Sequence, residues 1–377
     1  MKSSTPNPEI CFVFGTRPEI IKISPLIKEC QKRDIPFITI HTGQHYSENM
    51  DKIFWDGLKL PPVNYNIGVG SGTHATQTAS MLIGIEEIVM AEKPKVVIVQ
   101  GDTNSVLAGA LVASKLHIPI GHIEAGLRSY DRQMPEEVNR VLTGAVTSFH
   151  FTPTADAADN LRKEGVTDEK IFEVGNTIVD SVNENVRIAE RESSILTELF
   201  DSDAKSYALV TVHRVENADS KKNMQGIVAA IESIIKKHSL DIVWPMHPRT
   251  LKQLEDFQML DDLKSLVGMN IIDPVDFFDM LQLEKEADII ITDSGGMQEE
   301  ACILGTPCVT LRSNTERPES VDVGANILAG NKKEDITSAV DKMLTTEKIW
   351  SNPFGDGKSA HRIINILSSH LNKNSVG

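Results

Sequence analysis

The sequence is poor in cysteine, has fewer basic than acidic residues, and lacks any long apolar run. Four cysteines stand among 377 residues: Cys11, Cys30, Cys302 and Cys308. They form no CxxC pair and no Cys/His zinc spacing. Buried, small apolar thiols in a reducing compartment are therefore expected. Lys and Arg number 38 against 53 Asp and Glu, a formal charge of −15. That argues against nucleic acid as the main partner, and any anionic ligand must be held by local positive groups. No apolar stretch reaches membrane-spanning length and the N-terminus lacks the apolar segment of a secretory signal, so a soluble, cytoplasmic protein with no membrane partner is expected. A GxGxxG is missing, and no nicotinamide cofactor is expected. The glycine run at 68–72 lacks both a preceding strand and the Lys-Ser/Thr of a phosphate-binding P-loop, and it reads as a loop. His41 and His45 are four apart, but on a strand end and a turn rather than a helix face, so no metal is expected.

What the sequence does have is steady alternation of strand and helix. Strand patterns at 9–14, 37–41, 96–99, 118–123, 149–152 and 171–174 are separated by helical stretches ending near Arg33 and at 49–58, 73–91, 104–115 and 136–146. In the helix at 73–91, Ala79, Leu82, Ile83, Ile85, Ile88 and Val89 are expected to pack in a core. After an acidic stretch, 192–206, the pattern restarts with strands at 207–211, 241–244, 269–272, 288–292 and 308–311. Such alternation predicts α/β architecture with parallel sheets wound on both faces. The length suits two domains, and the expectation is two doubly wound, Rossmann-like domains facing across a cleft.

Ligands of open α/β sheets bind outside the carboxyl ends of the strands. Those ends carry Arg17, Gln44 and His45, Asp102, Glu124, His213, His247 and the Ser294-Gly295-Gly296 turn. At that last turn a helix start directs backbone N–H groups and its dipole at one spot, which suits an anion, although an ordinary strand-to-helix turn has the same residues. Arg17, Lys22, His213 and Arg317 are cationic or can become so, and with the helix start at Gly295 they could hold a diphosphate. Asp102, Glu124 and Glu136 are carboxylates suited to general acid and base roles. Structural readings stand beside these: a solvated helix start for Arg17 and Lys22, an N-cap for Asp102, a first-turn acid for Glu136, and a local carbonyl partner for His247.

Eight motifs occur in order: GTRPEIIK (15–22), GDTNSVLA (101–108), GHIEAGLRS (121–129), MPEEVNR (134–140), VGNTIVD (174–180), TVHRVEN (211–217), DSGGMQEE (293–300) and TERPE (315–319). Together they resemble the non-hydrolysing UDP-N-acetylglucosamine 2-epimerases over nearly the whole chain. The segments GSGTH and NPFGDGK are most similar to the archaeal and related bacterial branch. The resemblance implies a glycosyltransferase-B fold and a homodimer. It implies an N-terminal catalytic domain over 1–175, joined by a final helix at 361–377, and a UDP-binding domain over 176–360. It places UDP against Ser294, Gly295, Gly296, Glu300, Arg317 and Met280. Val275 stands where some members carry a Gln contact. Arg17, Lys22, Asp102, Glu124, Glu136 and His213 match the family's catalytic cleft.

The implied reaction is C2 epimerisation of UDP-N-acetylglucosamine by elimination of UDP and re-addition, feeding surface polysaccharide or glycan synthesis. Other readings are a 2-epimerase of another UDP-sugar, such as UDP-2,3-diacetamido-glucuronate, and a UDP-sugar transferase of the same fold. Gln44 and His45 match a substrate-activation site of some members, but Ser47 and the stretch 68–74 depart from its pattern.

Overall fold

Every strand pairing among the described residues is parallel. The computed structural model describes residues 8–43, 55, 57–200 and 206–373. The chain divides into two compact units, Met1–Ser181 with Phe354–Gly377 and Val182–Pro353.

The first unit holds a seven-stranded sheet among the described residues. Its strands are β1 (Ile10–Phe14), β2 (Phe37–His41), β3 (Tyr65–Asn66), β4 (Val96–Gln100), β5 (Ile120–Ile123), β6 (Phe149–Thr152) and β7 (Ile171–Glu173), in the order β3-β2-β1-β4-β5-β6-β7. β1 and β4 are buried along their full length. Helices cover both faces of a parallel sheet, so its central strands read as continuous apolar runs rather than alternating ones. Helix Asn104–Lys115 lies between helices His74–Glu92 and Pro135–Val146 and is buried over most of its surface. Helix His74–Glu92 buries Met81, Ile85 and Val89, but Ala79 and Ile83 are exposed. Its apolar stripe is therefore wider than the face it packs with, which corrects the expected core.

The second unit is one continuous segment. Its sheet has six strands among the described residues: β8 (Tyr207–Thr211), β9 (Asp241–Pro245), β10 (Met269–Ile272), β11 (Ile289–Thr292), β12 (Cys308–Thr310) and β13 (Asn326–Leu328), in the order β10-β9-β8-β11-β12-β13. Its core gathers Met224, Ile227, Ile231, Trp244, Ile289 and Val340 on one face and Tyr207, Leu209, Leu283 and Ile290 on the other. Within the acidic stretch after residue 192 a short helix, Ile195–Leu199, is present, because Ile195 and Phe200 pack beside Tyr207. β3 and β13 have two and three residues, too few for a sequence pattern to reveal. The helix expected at 49–58 lies largely outside the described residues, as do Gln44 and His45.

Helix Thr177–Glu192 carries the chain from the first unit to the second. The final helix, Ser359–Lys373, returns to the first unit and packs on helix Arg17–Lys32. Ile363, Ile364, Leu367 and Leu371 supply its buried face. Its first turn is capped from Asp180, whose carboxylate accepts the N–H groups of Ser359 at 3.2 Å and Ala360 at 3.0 Å. All four cysteines are buried and unpaired, and burial foremost pushes each thiol up. No helix among the described residues is long and apolar enough to cross a membrane.

Candidate active site

The strand order reverses between β1 and β4 in the first unit and between β8 and β11 in the second. Outside the carboxyl ends of such strands ligands collect, because the loops there diverge to opposite faces and leave a crevice. β1 runs into Gly15-Thr16-Arg17 and β4 into Gly101-Asp102-Thr103. β8 runs into Val212-His213-Arg214, and β11 into Asp293-Ser294.

In the first unit two carboxylates are held by cations and amides. Glu124 follows β5 directly, at a φ of 64° in the left-handed region, and is buried. Lys22, on the second turn of helix Arg17–Lys32, forms an ion pair with it. Gln100 Nε2 donates to its Oε2 at 2.7 Å and Asn176 Nδ2 to its Oε1 at 3.1 Å. A Cβ on Gly101 would lie 3.9 Å from Glu124 Oε2, so this carboxylate borders the turn that carries Asp102. Asp102 is paired with Arg140 of helix Pro135–Val146, whose Nη2 donates at 2.5 Å. Arg140 Nη1 donates at 2.9 Å to Glu137, one turn earlier. Glu137 also accepts the backbone N–H groups of Ser129 at 2.9 Å and Tyr130 at 3.1 Å. Burial pulls the Arg140 pKa down, but the two carboxylates outweigh it and leave it raised. Asn139 Nδ2 holds the Asp102 carbonyl at 2.9 Å. His122 Nε2 lies 2.8 Å from the carbonyl of Gly101, which can only accept, so this nitrogen carries the proton.

In the second unit the organiser is Asp293, fully buried. It accepts the backbone N–H of His213 at 3.1 Å, that of Arg214 at 3.0 Å, and Asn217 Nδ2 at 3.1 Å. His213 Nδ1 is 3.1 Å from its Oδ1. Burial alone would raise the Asp293 pKa, but the His213 ring, Asn217 and the Arg214 amide bring it below the usual range. Ser294 then caps helix Gly295–Leu304, accepting the Met297 N–H at 3.4 Å. Gly295 and Gly296 are thus the first residues of the helix rather than a turn before it. Their N–H groups belong to the set that has no partner within a helix, and the dipole adds to their attraction for an anion. A Cβ on Gly295 would sit 3.0 Å from Glu316 Oε1, so a side chain here would crowd the Glu316 carboxylate. Burial pushes Glu316 up, but Arg312 and Arg317 win and hold it down to about 2.

A family model for UDP-N-acetylglucosamine 2-epimerase matches residues 28–368. The chain belongs to the UDP-N-acetylglucosamine 2-epimerase family. It is 54% identical over 364 residues to the UDP-N-acetylglucosamine 2-epimerase of Methanocaldococcus jannaschii, a match that covers 96% of this chain and 99% of the other. A crystal structure of the Methanocaldococcus enzyme in complex with UDP-GlcNAc and UDP superposes with a TM-score of 0.87 over the same shares. The UDP-2,3-diacetamido-2,3-dideoxy-D-glucuronate 2-epimerase of Pseudomonas aeruginosa is 40% identical, with 96% of this chain and 99% of that one covered. MurG of Acinetobacter baumannii, at 14% identity and a TM-score of 0.56 over 97% of this chain and all of the other, shares the fold alone. Two doubly wound sheets with these likenesses are the glycosyltransferase-B type of fold that the resemblance implied.

In this epimerase family member the residues expected from sequence are divided between the two units. Lys22 and Glu124 are brought together, with Asp102 beside them, at the first unit's switch point. Arg17 opens the helix after β1. His213, Ser294, Gly295 and Gly296 gather at the second unit's switch point. Glu300 stands half-buried farther along the same helix, and its charge joins burial in pushing the buried Glu284 carboxyl well up. Arg317 forms an ion pair with Glu299, its Nε 2.7 Å from Oε1. Val275 and Met280 lie partly buried against the core beside Met297.

Glu136 is exposed in the first turn of its helix, while the adjacent Glu137 points inward to Arg140. The N-cap before Asn104 is Thr103, not Asp102. His247 caps the helix Pro248–Asp256 by accepting the Arg249 N–H at 3.2 Å, and its ring lies 6.5 Å from that of His213. Sequence reasoning missed Gln100, Arg140, Asn176 and Asp293. Of these, only Arg140 leaves a local trace, three residues after Glu137 on one helix face. No group of three or more His, Cys, Asp or Glu among the described residues is placed to hold a metal ion.

Proposed function

We propose that this family member interconverts UDP-N-acetylglucosamine and UDP-N-acetylmannosamine by eliminating UDP and adding it back. The supporting observation is the pair Asp102 and Glu124, two carboxylates bordering one turn at a switch point, each matched by a buried cation. A C2 proton beside an acetal carbon is only weakly acidic, and removing it alone would leave an unstabilised carbanion. Breaking the C1–O bond as the proton leaves avoids that species. The C2–H electron pair becomes the C1=C2 double bond of 2-acetamidoglucal, the C1–O pair departs with UDP, and the proton passes to a carboxylate. Re-addition of UDP at C1 with protonation of C2 from the opposite face gives the epimer.

In this scheme Asp102, Glu124 and Glu136 handle protons, and His213 acts on the leaving diphosphate. Arg17 and Lys22 stabilise its charge together with the helix start at Gly295, the electrostatic work that dominates such a step. Ser294, Gly295, Gly296, Glu300, Arg317 and Met280 hold the nucleotide. The first unit carries the proton-handling carboxylates, and the second carries His213 and UDP. We take the enzyme to be cytoplasmic and homodimeric, with the exposed Ile83 and Met90 on helix His74–Glu92 as apolar surface for a second copy.

Turnover of UDP-N-acetylglucosamine in deuterium oxide, followed by proton NMR, tests the reading. Deuterium should appear at C2 of both epimers, whereas unlabelled product would sink the elimination. Asp102→Asn and Glu124→Gln should each lower kcat by about 100-fold or more while UDP still binds. The Pseudomonas relative supports a second reading, in which a 2,3-diacetamido uronic acid is the sugar. Much faster turnover of that UDP-sugar in the same assay would replace the first assignment.

A further inference from the structure

Glu19 is a buried carboxylate with no part in the scheme above, 2% exposed at the third position of helix Arg17–Lys32. Its Oε2 accepts the N–H groups of Gly15 and Thr16, each at 2.7 Å, and the Thr16 hydroxyl at 3.0 Å. That much is a capping box, which satisfies the first turn of the helix. The other oxygen does something a cap does not require. Oε1 accepts the hydroxyl of Thr103 at 2.7 Å, from a residue 84 positions away. Thr103 is itself the N-cap of helix Asn104–Lys115, its oxygen accepting the Val106 N–H at 3.4 Å. One carboxylate therefore ties together the turns after β1 and β4, the two strands that flank the switch point. The first of those turns leads to Arg17, and the second contains Asp102.

The result is that the backbone leaving Asp102 is held at two successive points. Asn139 holds its carbonyl at 2.9 Å, and Glu19 holds the next residue through Thr103. Burying a carboxylate is costly, and here burial pushes Glu19 up to about 7 against the pull of Thr103, Gly15 and Thr16. A hydrophobic residue at this position would avoid that cost but could not join the two turns.

We propose that Glu19 is a positioning residue for the elimination step, fixing Asp102 relative to Arg17 through the Thr103 hydroxyl. The proposal rests on the epimerase reading and on Asp102 as a proton-handling group. A displacement of about 1 Å in such a group can cost on the order of 100-fold in rate with little effect on binding. Thr103→Val removes the link together with the Thr103 N-cap of helix Asn104–Lys115, and leaves the capping box of Glu19 in place. Thr103→Ser keeps the hydroxyl and serves as the rescue. Glu19→Gln tests the same link from its other end.

Steady-state kinetics on the full chain, calorimetric UDP binding and thermal unfolding are measured for all three variants. Thr103→Val and Glu19→Gln should lower kcat by about 10- to 100-fold with KM and UDP affinity little changed, and Thr103→Ser should return to near the wild-type rate. Wild-type kcat in Thr103→Val would overturn the proposal. So would a parallel fall of kcat and UDP affinity in both loss variants with a lower unfolding temperature, since that marks a merely structural cap. Deuterium exchange by the wild type is measured first. Its absence removes the epimerase reading itself, whereas exchange together with an unaffected Thr103→Val removes only the role of Glu19.

Discussion

Asp293 and Arg140 show what single residues contribute behind the groups proposed to face a substrate. Asp293 fixes two successive backbone amides and the ring of His213. In Asp293→Asn the amide NH2 would confront those donors, and His213 would lose its anchor. The expected outcome is a fall in kcat of about 100-fold, measured beside an unfolding curve that separates it from lost stability. Arg140 compensates two carboxylates in a site where its side chain is 7% exposed and that of Glu137 2%. Arg140→Met should cost about 3–5 kcal/mol in a urea titration, because it strands a buried charge. Some of this was legible in the residues. Glu124 stood out because it directly follows an apolar strand, and Glu137 with Arg140 fits a helix-face pair. Nothing local joins Lys22 to Glu124 across 102 positions. Local sequence also could not decide which of the neighbours Glu136 and Glu137 turns inward, since helix phase at a first turn depends on what it packs against.

Secondary-structure elements carry their own sensitivities. His122 on β5 and His150 on β6 are register partners, both buried. Burial foremost lowers His122 to about 4 and His150 to about 3, and each is disfavoured further by the other's neighbourhood of Arg128 and, for His150, by His122 and Lys170. A histidine depressed in the folded state contributes stability that is complete above its unfolded value of about 6.5 and is lost as pH falls toward 4. Glu19 has the opposite sign: its raised value means stability lost as pH rises from about 4.5 through 7. Unfolding midpoints at pH 8, 6 and 4.5 should therefore flatten at the acid end in His150→Gln and at the neutral end in Glu19→Gln. Gly126 is a second case. At a φ of 85°, its Cβ would come within 2.1 Å of the Ala157 carbonyl oxygen in helix Ala155–Lys163. Gly126→Ala should lose about 2 kcal/mol or more in the same urea titration. The main strands and helices themselves were readable within a few residues, because fully buried parallel strands leave unbroken apolar runs. The exceptions were short, or, like the outer face of helix His74–Glu92, apolar without being buried.

At the scale of the whole molecule, alternation of strand and helix predicted both sheets. The order of strands was not readable, since periodicity reports the burial of a strand and not its neighbour. A change of assembly state is the prediction at this scale. Ile83→Glu should shift the proposed homodimer toward monomer in sedimentation velocity with the unfolding temperature preserved, because Ile83 is 62% exposed within a chain. The returning helix Ser359–Lys373 bears on how the molecule comes into being. The second unit is contiguous, but the first needs a segment synthesised after it, and until that segment emerges helix Arg17–Lys32 lacks the cover of Ile363, Ile364, Leu367 and Leu371. Synthesis therefore delivers a complete second unit while the first still waits for its final helix. During that interval the apolar side of helix Arg17–Lys32 stays uncovered, the kind of surface through which incompletely folded chains aggregate.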